Sequence, residues 1–137
     1  MSRRRSAGLA PLAAAGCAIA LAAAGPARAG VPEGCPHQAP RPLRADALAR
    51  AKATALREAP SLYRGEDLRG IRAVRAVRAT QDRDRGGYAA KCGGRVRERS
   101  VVVYLEFPAE KPSSSLSTGV VLVARFAHGL RVWAVLH

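Results

Sequence analysis

The chain has 137 residues and carries 23 Lys and Arg against ten Asp and Glu, a formal net charge of +13. That length holds one domain with one modest core and leaves no room for a second. The charge favours salt-sensitive contact with anionic surfaces such as cell-wall polymers, acidic lipids or nucleic acid. A competing source of the arginine is base composition, since the chain is crowded with Ala, Arg, Gly and Pro, all of which have GC-rich codons.

Residues 1–29 read as a cleavable secretory signal peptide. Arg3, Arg4 and Arg5 form the charged start, an uncharged run extends from Ser6 to Ala27, and Gly25 and Pro26 break it. Ala27-Arg28-Ala29 then presents small residues at the two positions a signal peptidase must accommodate. Cleavage after Ala29 removes four arginines and no acid, which leaves 108 residues at a net charge of +9. A retained membrane anchor is disfavoured because the run is short and built largely of Ala and Gly. The product is expected outside the cytoplasm, with no transmembrane span. Lipidation at Cys17, within Ala14-Ala15-Gly16-Cys17, is the alternative and would leave a lipid-anchored protein. The paired arginines lack the large apolar residues of a twin-arginine signal.

Cys35 and Cys92 remain after cleavage, an even count in an oxidising compartment, and are expected to pair. The rival use is a metal or redox site, because Cys35-Pro36-His37 sets a thiol two residues from an imidazole. No spacing brings His128 or His137 to it, and the chain has no C-x-x-C. Neither a metal nor another cofactor is expected.

Gly30 to Pro42 holds Pro32, Pro36, Pro40 and Pro42, so residues 30–42 are read as an extended N-terminal arm pinned at Cys35. Residues 43–137 are read as a single α+β domain. From Leu43 to Ala59 the apolar positions Leu43, Ala47, Leu48, Ala51, Ala55 and Ala59 line one side of an amphipathic helix that Pro60 is expected to stop. Ser61 to Gly70 reads as a loop. Ile71 to Thr80 contains Ala-Val-Arg twice. A helix would align Arg72, Arg75 and Arg78, but Gly70, the β-branched content and the turn cluster Gln81 to Gly87 favour a strand, which scatters them.

Tyr88 to Phe107 is expected as one strand, with Val101, Val103, Leu105 and Phe107 on an apolar face. Extended backwards, that face would carry Arg95, Arg97 and Arg99, which a core does not hold unpaired. Either a β-bulge near Arg99 and Ser100 flips the register, or the strand projects past the helix. In both cases these arginines form a basic patch. Pro108 to Ser117 is a polar connection, and Leu116 to Phe126 and Leu130 to His137 are two strands turning at His128-Gly129. That turn would set Phe126 opposite Arg131, Ala124 opposite Trp133 and Leu122 opposite Val135. Trp133 is then expected centrally on the face the helix covers.

One helix on a curved antiparallel sheet of about four strands is the cystatin-like or NTF2-like order, an analogy of fold and not of function. The Gln-x-Val-x-Gly and Pro-Trp hairpins of cystatin inhibitors are absent: Asp82 follows Gln81, and Val132 precedes Trp133. No G-x-S-x-G, H-E-x-x-H or P-loop occurs, nor any nucleophile and base at recognisable spacing, so no enzyme is expected. The segments Arg99 to Pro108, Ser115 to Val120 and Arg131-Val132-Trp133, with the terminal His137, resemble uncharacterised small secreted proteins of high-GC bacteria. That resemblance covers about the last forty residues and implies export and a shared small domain, with no activity attached.

The sequence therefore points to a secreted, non-enzymatic basic binding module. Arg75, Arg95, Arg97 and Arg99, with help from Arg72 and Arg78, would contact an anionic partner: an envelope polymer, an acidic protein or a lipid surface. No specific nucleic acid is expected. The alternative is a secreted inhibitor or protein-interaction domain acting through Pro108 to Ser117 and the His128-Gly129 turn.

Overall fold

The computed structural model describes residues 34–111 and 117–136. The segment 1–29 read as a signal peptide, residues 30–33 of the arm, residues 112–116 of the serine-rich connection and His137 lie outside the described residues. The element order is α1 (Ala47–Leu62), β1 (Arg72–Arg78), α2 (Gly86–Lys91), α3 (Gly94–Glu98), β2 (Ser100–Glu106), β3 (Thr118–Phe126) and β4 (Gly129–Leu136). The strands make one antiparallel sheet in the order β1-β2-β3-β4, and α1 packs on one face of it. This is the α+β arrangement expected, an open sheet with β1 and β4 at its edges.

Alanine recurs every fourth position in α1, and Ala47, Ala51, Ala55 and Ala59 are all buried. A stripe of methyl groups lets the helix approach the sheet, where Val101, Val103, Leu105, Val121 and Val123 supply most of the apolar bulk. Both helix bounds differ from expectation. The helix starts at Ala47 because the Arg41 N–H donates to Arg125 O at 2.7 Å, an isolated β-bridge that keeps the arm extended ahead of it. It also runs through Pro60 to Leu62. Near the end of a helix a missing donor costs one bond, and the Tyr63 N–H still closes on Ala59 O at 2.9 Å.

The single strand expected over Tyr88 to Phe107 is not formed. Its first half folds as α2 and α3, and only Ser100–Glu106 enters the sheet. Local chemistry outweighs the β-branched signal here. The Asp82 carboxylate accepts the Arg85 N–H at 2.9 Å, the Gly86 N–H donates to Asp82 O at 3.1 Å, and Gly93, at φ +108°, turns the chain between the two short helices. Neither a bulge nor a projecting strand is needed to keep arginine out of the core, because Arg95 and Arg97 lie on α3 and Arg99 follows it.

These short helices and the arm cover the second sheet face. Val102, Val120 and Leu122 are buried there with Ala79 and Ala89, and Tyr88, Tyr104 and Trp133 pack around them. Trp133 is thus on the face opposite α1, contrary to expectation. The hairpin pairs Phe126 with Gly129 and Ala124 with Arg131, so its loop is Ala127-His128 and the register is two residues from the expected one. Val123 pairs with Val132 and Leu122 with Ala134, which leaves Trp133 as the extra residue of a bulge. The bulge turns Trp133 and Ala134 to the same face. There the indole N–H donates to the buried Ser100 Oγ at 3.1 Å, and the ring lies 6.1 Å from that of Tyr88.

Candidate anion-binding groove

Cys35 and Cys92 form a disulfide with their Cα atoms 5.6 Å apart, joining the arm to the end of α2. The Cys35 thiol is therefore consumed, and with it the Cys35–His37 ligand pair. Among the described residues no group of three His, Cys, Asp or Glu is placed to hold a metal, and no helix is long and apolar enough to cross a membrane.

The four arginines singled out from sequence do not converge into one patch. Arg75 sits on β1 with its guanidinium 5.3 Å from the centroid of the Tyr104 ring. A bulge between Ala73 and Arg75 brings Arg72, opposite Glu106, and Arg75, opposite Tyr104, to one face, while Arg78 pairs with Val101 on the other. Arg72 is taken by Glu106 in an ion pair of 2.8 Å. Arg97 Nε donates to Ala79 O at 3.4 Å, fastening α3 to the chain just beyond β1. Arg99 Nη1 donates to the carbonyl of buried Pro40 at 2.8 Å and so holds the arm down. Arg95 projects from α3 and is exposed.

Near Arg75, Tyr104 OH donates to Asp82 Oδ2 at 2.5 Å. Burial of Asp82 works to raise its pKa, but hydrogen bonds from Tyr104 and from the Arg85 and Gly86 N–H groups, with the charge of Arg75, outweigh it and hold the carboxyl below its ordinary range. Burial first, and then the bond to Asp82 and its charge, push Tyr104 up to about 12. This cluster spends its polar groups on one another and on the α2 turn. It anchors structure.

A different set of arginines does converge. The extended arm, the N-terminal end of α1 and the β3–β4 hairpin enclose a groove of about 180 Å³ lined by Arg41, Arg44, Arg50 and Arg125. Its apolar wall is Leu43, Ala47, Phe126, Ala127 and Leu130, and Asp46 is its one acid. Asp46 is engaged by Arg50 at 3.6 Å across one helical turn. Three arginines of the lining are then in excess, and the groove includes the N-terminal end of α1, the positive end of its backbone dipole.

The sequence pattern places Arg41 in the arm, Arg44 and Arg50 in the helical segment that follows it, and Arg125 in a strand. The signal that joins them is the pairing of Arg41 with Arg125 across 84 positions, which no local pattern encodes. Neither family models, curated proteins nor solved structures yield a match to this chain.

Proposed function

We propose that the protein is a basic, non-enzymatic binding module that acts outside the cytoplasm and grips an anionic partner at the arginine-lined groove. The observation that carries this reading is the gathering of four arginines around a groove with a single acidic residue in its lining. Arginine suits the task, because its planar fork meets carboxylate and phosphate oxygens in pairs and keeps its charge at any ordinary pH. A disulfide is consistent with residence in an oxidising compartment, as the export signal in residues 1–29 implies. Relative to the patch expected from the sequence, the proposed binding surface moves from Arg75, Arg97 and Arg99, whose guanidinium groups are engaged within the fold, to Arg41, Arg44, Arg50 and Arg125.

Retention on an anionic matrix as a function of salt tests the reading. The wild-type protein should elute at a well-defined, elevated salt concentration, because the attraction is between partly screened charges. Arg41→Glu with Arg125→Glu should elute far earlier. Both changes keep the backbone bridge, which uses main-chain atoms alone. Arg95→Glu with Arg97→Glu, the patch expected from sequence, should shift elution less. Equal shifts for the two pairs would show that net charge alone governs retention and that the groove is not the site.

A further inference from the structure

Resting on that reading, we infer that the groove takes a phosphate monoester borne on a small apolar group. Three features define the ligand. After the Arg50–Asp46 pair, Arg41, Arg44 and Arg125 leave about three positive charges, which a doubly charged phosphate matches better than a single carboxylate does. Leu43, Phe126 and Leu130 form a wall beside the cations, and free inorganic phosphate would leave that wall uncovered. The volume, about 180 Å³, is that of about six water molecules in the liquid. It admits a phosphate with a ring-sized appendage.

The parts are also held in place. Arg125 is carried by β3 in the middle of the sheet, and Arg41 is locked to it by the 2.7 Å backbone bond. The carbonyl one residue earlier, at Pro40, is held by Arg99, and the arm is tied to α2 through Cys35. A cation set fixed to a sheet loses less freedom on binding than one on a mobile loop.

Isothermal titration of the purified, oxidised protein at low salt decides the matter, with phenyl phosphate, inorganic phosphate and benzoate as probes. Phenyl phosphate should bind at least about tenfold more tightly than either of the others, a difference of about 1.4 kcal/mol. Arg125→Gln and Arg41→Gln should each weaken it by about tenfold or more, the scale of one lost charge-assisted hydrogen bond, with an unchanged thermal melt, and Arg95→Gln should leave it unaltered. Benzoate equal to phenyl phosphate would overturn the assignment of a phosphate, and inorganic phosphate equal to it would remove the apolar contact. Capture by vesicles containing phosphatidic acid without any response to phenyl phosphate would overturn the assignment of a small ligand. In each of these cases the broader anion-binding reading survives if matrix retention still depends on Arg41 and Arg125, and fails with the inference if it does not.

Discussion

Replacing both Cys35 and Cys92 with serine should destabilise the protein by about 4 kcal/mol. The bridge spans a sequence separation of 57, and the loop-closure entropy of a chain cross-linked at that distance gives this figure at room temperature. For a domain of this size, each kcal/mol corresponds to roughly 4–8 °C in Tm, so the loss should read as a drop on the order of 15–30 °C. Urea and thermal melts followed by Trp133 fluorescence report it well, because the indole sits against Tyr88 of α2, the helix that ends at the bridge. Two contacts compete with the disulfide for holding the arm: Arg99 to Pro40 O and the Arg41–Arg125 bridge. A loss below about 1 kcal/mol, the scale of one ordinary hydrogen bond, with the Arg41 amide still protected from hydrogen exchange, would refute the argument by showing that those contacts suffice. Should the stability fall as expected, the groove should weaken too, since the arm delivers Arg41, Leu43 and Arg44 to it.

Gly86→Ala should cost about 3 kcal/mol, because a Cβ at Gly86 would lie 1.9 Å from the Ala79 carbonyl oxygen, a backbone atom that has no flexible end to move aside. Gly87→Ala is the control, with open space around its Cβ position, and urea midpoints that fall equally for both would contradict the contact. At alkaline pH stability should decline between about pH 10 and 12. Tyr63, whose hydroxyl is buried without a hydrogen-bond partner, and Tyr104, partly buried and bonded to Asp82, both keep their protons to about 12 when folded and release them near 10 when unfolded. Their contribution is complete below pH 10 and lost as pH rises through the folded values. Urea midpoints taken from pH 8 to 12 measure it, and a flat profile for the wild type, or one unaltered by Tyr104→Phe, would count against these assignments.

What this sequence determined by itself lies where one pattern dominates a whole segment. The alanine stripe specified α1, and the alternation over Val101, Val103 and Leu105 specified β2, because side-chain periods of 3.6 and 2 state directly which face is buried. The two cysteines outside residues 1–29 admitted one pairing, and the fold makes it. Where several weak signals overlapped, tertiary structure decided. Residues 86–98 are two short helices and no strand, because a helix of five or six residues has too few positions to show its period and is held by Asp82, Gly93 and the disulfide. Trp133 alternates with Val132 onto the second face, which α2 helps to cover, and the one-residue bulge reverses only the side chains that follow it. The groove is the extreme case. Its arginines come from three separate segments, and their convergence is a property of the Arg41–Arg125 pairing, a contact whose partners are far apart in the chain and become neighbours only when the sheet has formed.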